Sequence, residues 1–255
     1  MSEAVLYEVR GGAAWITLNQ PDNRNALSEA LLEGLKRDLG RALADPVARS
    51  IVITGAGKAF CAGADLKGAR PGVARTAGPS PFVEILSAIW DAPKPVIAAI
   101  NGPAFAGGLG LVAACDIVVA AESARFSFSE VRIGVIPAVI SVVCVPKLGA
   151  HQAMRLFLTG ETFSAADAVR YGLVHRTAPD AALRAEVEKE IDAIRKGGPQ
   201  AVAESKRLVR RVAGQALEEA FAWTQTKSAE MFASDEAKEG MAAFREKRTP
   251  RWIEE

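Results

Sequence analysis

The sequence predicts an α/β fold with parallel strands, closed by a helical region, and three observations carry that expectation. Strand-like and helix-like segments alternate over about the first 175 residues, the pattern of a sheet whose crossovers are helices. Ser50–Thr54 (SIVIT) and Val96–Ile100 (VIAAI) are short apolar runs, as strands buried on both faces are. From about Asp180 onward the pattern is almost entirely helical and charged.

In chain order, Ala13–Asn19 predicts a strand entered through Gly11-Gly12, and Pro21-Asp22-Asn23 breaks it. Ser28 stands at a helix N-cap position ahead of Leu31, Leu32, Leu35, Leu39 and Leu43, which recur at helical spacing; Asp45-Pro46 ends that helix. After Ser50–Thr54 comes a Gly/Ala-rich loop from Gly55 to Leu66. Residues 68–81, rich in Gly, Pro and Ala, predict a mobile loop. A helix from about Phe82 to Trp90 leads through Pro93 and Pro95 into Val96–Ile100, and Asn101–Gly108 opens a small-residue helix reaching about Ala114. Asp116–Ala120, Arg125–Phe128 and Leu173-Val174 predict further strands. Ala150–Leu158 and Ser164–Tyr171 predict helices, the second stopped by Gly172. The organisation is a core over residues 1–195 and a helical C-terminal region over 196–255, which packs on the core or on another subunit.

Composition excludes several classes of function. A chain of 255 residues, 49% hydrophobic, is long enough to bury a large core without staples. Its 31 basic and 30 acidic residues leave a net charge of +1, so nothing draws it to nucleic acid or an anionic membrane. Cys61, Cys115 and Cys144 form no CxxC, and two histidines are too few to complete a zinc site with them, so no metal is expected. Sparse, odd cysteines fit a reducing compartment. The N-terminal MSEAVLYEVRGG lacks the apolar stretch of a signal peptide, and no apolar run has the length of a membrane span, so a cytoplasmic protein is expected.

Gly108-x-Gly110-x-x-Ala113 matches the dinucleotide fingerprint only weakly. Seven residues separate Ile100 from Gly108, and the strand after the helix ends in alanines where a ribose-binding acid would stand. No phosphate-loop or nucleophile-elbow motif is present, His151 and His175 read as structural, and Cys61 has no activating neighbour. Two features remain. Cys61-Ala62-Gly63-Ala64 and Ala106-Gly107-Gly108 are turns without bulk, the second at a helix start whose amides are unpaired. Aimed at one point, they would form an oxyanion hole; the alternative is tight packing between neighbouring elements. Glu130 lies between an apolar strand and the apolar run Ile133–Val145. It reads either as a partly buried acid/base with a raised pKa or as a solvated residue paired with Arg132.

Taken in order, these segments resemble the crotonase family, the enoyl-CoA hydratase/isomerase group. Asn19-Gln20-Pro21-x-x-Arg24-Asn25-Ala26-Leu27 resembles its N-x-P-x-x-x-N-A-L, and Phe60-Cys61-Ala62-Gly63-Ala64-Asp65-Leu66 its F-[CA]-A-G-A-D-[LI]. Lys94–Gly102, Gly107-Gly108 and Cys115-Asp116-Ile117 resemble its central stretch, and Leu158–Ala168 with Gly172-Leu173-Val174 its C-terminal landmark. The resemblance implies a spiral of repeated ββα units followed by helices that trimerise, giving a homotrimer or a homohexamer. It implies an acyl-CoA substrate, with coenzyme A as part of the substrate and no separate cofactor. The amides of Ala64 and Gly107 would hold the thioester oxygen as it becomes an enolate. Ala62, Ala64, Asp65, Leu66 and Lys67 would line the CoA path. Arg24 would contact a CoA phosphate or ribose, and Lys247 would reach CoA on a neighbouring subunit, unless both are surface charge. Ala138 stands where a backbone amide often holds the reacting water.

One departure matters most. The family's two acid/base glutamates fall on Gly110 and Glu130, so one carboxylate remains. The run Val139-Ile140-Ser141 replaces a Gly-rich stretch and should reshape the acyl pocket. The stretch Ser129–Ser141 resembles the branch that handles branched chains such as methylglutaconyl-CoA. The implied activity is hydration of a 2-enoyl-CoA by Glu130. The alternatives are isomerisation of a 3-enoyl-CoA to a 2-enoyl-CoA by the same residue, or acyl-CoA binding without catalysis.

Overall fold

The structure, a computed structural model, describes residues 3–65 and 78–254. A six-stranded sheet forms its centre. β1 (Val5–Arg10) pairs antiparallel with β2 (Ala13–Leu18); β3 (Ser50–Gly55), β4 (Val96–Ile100), β6 (Ile117–Ala121) and β9 (Arg176–Ala178) then follow in parallel, in the order β1-β2-β3-β4-β6-β9. A small second sheet holds β5 (Ala104–Phe105), β7 (Arg125–Ser127) and β8 (Thr162–Ser164).

The apolar character of β3 and β4 follows from their position, because both faces of the large sheet are covered. Ile51, Ile53, Ala98 and Ile100 face the main core with α1 (Glu29–Ala44), α2 (Pro81–Asp91) and α3 (Gly107–Ala114). Val52, Ile97 and Ala99 face the other side, where Leu183, Val187 and Ile191 of α6 (Leu183–Arg195) close over them. Ser28 caps α1 as expected, its Oγ accepting the Leu31 amide at 3.3 Å.

Two elements differ from expectation. The helix expected over Ala150–Leu158 is present as the second part of α4 (Ala138–Thr159), but an unexpected first part precedes it from Ala138, up to a break at Gly149, whose φ of +71° interrupts the helical path. Leu173-Val174 is not a strand. Both amides donate to the Ala168 carbonyl, closing the end of α5 (Ala165–Arg170), and β9 starts at Arg176.

The C-terminal helices are α7 (Pro199–Val212), α8 (Leu217–Ala233), α9 (Asp235–Glu246) and α10 (Arg251–Glu254). An ion cluster ties α7 to the sheet. Asp116 takes Lys206 at 2.7 Å and Arg210 at 2.6 Å, and also accepts the Val96 amide at 2.7 Å. The Arg210 guanidinium lies over the Trp90 ring of α2, 4.0 Å from its centre.

Candidate active site

Two turns meet at the edge of the main core, and the N-terminal segment holds the first. Asn25 is fully buried, and its amide nitrogen donates to the carbonyls of Ala56 (3.0 Å) and Ala59 (2.8 Å) while its oxygen accepts the Gln20 amide (2.8 Å). The Arg24 carbonyl accepts the Ala62 amide at 3.0 Å, and the Leu27 amide donates to the Gly63 carbonyl at 2.8 Å. The turn Ala62-Gly63-Ala64 is thereby fixed from one side.

β5 fixes the second turn. The Phe105 amide donates to the Cys61 carbonyl at 2.9 Å, and the Ala106 amide to the Ser127 carbonyl at 2.9 Å. Ala106 then takes φ 48°, ψ −119°, a strained conformation for a residue with a Cβ. The strain turns the chain so that Gly107 opens α3. The two turns are in contact: a Cβ on Gly63 would lie 2.8 Å from the Phe105 carbonyl and 3.2 Å from the Gly107 nitrogen. Neither the Ala64 amide nor the Gly107 amide donates to another described residue, as helix-start geometry dictates for Gly107. Packing and donor presentation, offered by the sequence as alternatives, coexist here.

Glu130 reaches the same place from another direction. Phe126 and Phe128 are buried in an aromatic cluster with Phe157 and Phe163, which anchors the end of β7. A 3₁₀ turn, Ser129–Ile133, follows and ends at Gly134 (φ +76°), where the Glu130 carbonyl accepts the amides of Gly134 and Val135. The carboxylate is half-buried. Its Oε2 is shielded from solvent and has no hydrogen-bond partner among the described residues, so the pairing with Arg132 does not form. Burial pushes its pKa above the usual carboxylate value.

Ala62, Ala64, Gly107, Glu130 and Ala138 line one cavity of about 390 Å³. Phe82, Ser129, Val139 and Ile140 line it too. Of these four, sequence reasoning had marked only Val139 and Ile140, as residues that reshape a pocket; nothing in the local pattern singles out Phe82 or Ser129. Arg24, Asp65 and Lys247 do not line the cavity. Arg24 is exposed beside it and joins it only through its carbonyl, and Lys247 is exposed at the end of α9 with φ +54°. Leu66, Lys67 and most of the expected 68–81 loop lie outside the described residues. The Ala138 amide is not a free donor, because it binds the Ile136 carbonyl at 2.8 Å.

The weaker motifs resolve into packing. A Cβ on Gly108 would lie 2.5 Å from the Cys61 carbonyl oxygen, and one on Gly110 would lie 2.5 Å from Ile140 Cγ2, so these glycines fit their neighbours rather than a dinucleotide. Burial pushes the Cys61 thiol up to about 12, which keeps it protonated and inert. His175 Nδ1 accepts the Val118 amide at 3.0 Å, a structural role. Among the described residues, no group of three His, Cys, Asp or Glu could hold a metal ion, and no helix is long and apolar enough to cross a membrane.

Comparisons with known proteins show the family and the fold. Residues 8–255 match the family model described as enoyl-CoA hydratase/isomerase. The chain is 38% identical over 252 residues to enoyl-CoA hydratase EchA19 of Mycobacterium tuberculosis, covering 96% of this chain and 94% of that one. Among solved structures, an enoyl-CoA hydratase of Mycobacterium smegmatis superposes with a TM-score of 0.89 at 36% identity, covering 98% and 99% of the two chains. One from Bacillus anthracis superposes with a TM-score of 0.91 at 33% identity, covering 99% and 100%.

Proposed function

The chain belongs to the enoyl-CoA hydratase/isomerase family, and we propose that it adds water across the 2,3 double bond of an acyl-CoA thioester with Glu130 as its single acid/base. One observation carries the reading: two unengaged amides, Ala64 and Gly107, and one half-buried carboxylate line the same cavity. The amides polarise the thioester carbonyl. They take up the charge that appears on its oxygen when water attacks Cβ and the π electrons move toward Cα. A donor of this kind is worth about 3 kcal/mol in the transition state. Glu130 removes a proton from the attacking water and returns it to Cα, so the carboxylate ends as it began. A raised pKa suits both halves of that transfer. The chemistry needs neither a metal nor an organic cofactor, and coenzyme A enters with the substrate.

The same carboxylate supports a second reading. With residue 110 a glycine, one carboxylate among the described residues lines the cavity, and isomerisation of a 3-enoyl-CoA needs only one group to carry a proton from Cα to Cγ. Absorbance of the conjugated enoyl thioester separates the two. Loss of absorbance with crotonyl-CoA or 3-methylglutaconyl-CoA supports hydration. A gain with a 3-enoyl-CoA and no loss with the others makes it an isomerase. Silence with all three while CoA still binds leaves a different acyl chain or an acyl-CoA binder.

The assembly in this reading is a homotrimer or a homohexamer. Exposed phenylalanines on the C-terminal helices support it: Phe221 and Phe232 of α8 and Phe244 of α9 are 67%, 68% and 86% exposed in the single chain. Sedimentation would give the subunit number. A cytoplasmic location is consistent with three free, buried cysteines.

A further inference from the structure

We propose that the Ser129 hydroxyl holds the attacking water where no second carboxylate is present to do so; this rests on the hydratase reading. A water that attacks Cβ must present a lone pair to carbon while its two hydrogens are held elsewhere. Glu130 accepts one of them. Two groups that could hold this water are missing: a side-chain acceptor at residue 110 for the other hydrogen, and a free amide donor at Ala138 for the oxygen. Residue 110 has no side chain, and Ile140 and Phe82 fill the room beside it: a Cβ there would lie 2.5 Å from Ile140 Cγ2 and 3.2 Å from Phe82 Cζ. The Ala138 amide is engaged with the Ile136 carbonyl.

The polar side chains lining the cavity among the described residues are Ser129, Glu130 and Arg132. Arg132, whose Nε lies near Gly160 at the end of α4, carries only donors and cannot accept a water hydrogen. Ser129 is partly buried, precedes Glu130 in the same 3₁₀ turn, and its hydroxyl has no partner among the described residues. In the step, the Ser129 oxygen accepts a hydrogen bond from the water hydrogen that stays on oxygen. The water oxygen bonds to Cβ, the other proton passes to Glu130 and then to Cα, and Ser129 neither gains nor loses a proton.

The test compares Ser129→Ala and Ser129→Thr with the wild-type enzyme in two assays. The first is hydration of crotonyl-CoA. The second is exchange of the α-hydrogen of butyryl-CoA with D₂O, read by NMR, which uses Glu130 and the two amides but no attacking water. Ser129→Ala should lower kcat for hydration roughly tenfold, the weight of one neutral hydrogen bond, with KM nearly unchanged. Exchange should stay near the wild-type rate, and Ser129→Thr should restore hydration. Unaltered hydration in Ser129→Ala overturns the proposal, and so does an equal fall in both assays, which would place the effect on Glu130 or on the fold. If the wild-type chain exchanges butyryl-CoA but hydrates no 2-enoyl-CoA, the hydratase reading itself fails and this role falls with it.

Discussion

Ile140 occupies the space that a side chain at residue 110 would need, with its Cγ2 2.5 Å from where a Cβ on Gly110 would stand. The contact joins α3 to α4 and closes one wall of the cavity with apolar atoms. It reverses the usual sign of a helical Gly→Ala change, which ordinarily stabilises by about 0.5–1 kcal/mol. Gly110→Ala should instead destabilise, by about 1–3 kcal/mol for an overpacked core. Ile140→Ala alone should cost about 2–5 kcal/mol as a core truncation, but the two losses should not add, because it removes the clash. Urea unfolding of the two single variants and the double variant would measure the coupling, expected at about 0.5–3 kcal/mol for residues in contact.

Gly63 carries a comparable constraint for function. It has φ +89°, and a Cβ there would press on the Phe105 carbonyl, Ala106 Cβ and the Gly107 nitrogen. Gly63→Ala should displace both candidate donor amides. The expected cost is a kcat lower by at least about 10²–10³, the range for loss of a single oxyanion donor. A steady-state assay with crotonyl-CoA checks it, with circular dichroism reporting whether the fold survives.

The buried carboxylate sets a pH dependence. Burial raises the Glu130 pKa, and the base form is the one that takes the proton from water, so activity should fall as pH drops through a value above the ordinary glutamate range. The stability sign is opposite. A raised folded-state pKa favours the protonated form, so the stability tied to protonation is present below the unfolded pKa and lost as pH rises through the folded one. Glu130→Gln should therefore raise Tm relative to wild type near neutral pH and lose that advantage near pH 4. Calorimetric melts at the two pH values, beside a pH profile of kcat/KM, test both halves.

Asp116 balances Lys206 and Arg210, and the Lys206 side chain is 8% exposed. Asp116→Ala would leave two shielded cations without their acid and free the Val96 amide. Breaking such a pair typically costs about 3–5 kcal/mol. Denaturation in urea should show that loss, and limited proteolysis should show α7 cut before the sheet if the cluster is what docks it.

Much of this was legible in the sequence where local chemistry decides the outcome. The Ser28 cap, the apolar runs of β3 and β4 and the two small-residue turns each follow from a few adjacent residues. The start of α4 was not legible. Ala138–Leu148 is a mostly apolar stretch containing Pro146, and nothing in such a stretch separates a buried helix from a strand. Leu173-Val174 has strand composition, but tertiary packing sets it at the end of α5. In the site, the meeting of Ala64, Gly107 and Glu130 was expected from resemblance. The engaged Ala138 amide, the strained Ala106 and the partnerless Ser129 hydroxyl depend on distances that one chain's letters do not carry.

The most direct test of the account is the hydration rate of crotonyl-CoA by the wild-type chain and by Glu130→Gln, followed through loss of enoyl thioester absorbance. The account predicts turnover in the wild type and a fall of at least about 10²-fold in the variant, the lower bound for removing a general acid/base, while CoA affinity stays nearly unchanged. Wild-type turnover that survives in Glu130→Gln would contradict it, because another group would then be moving the proton.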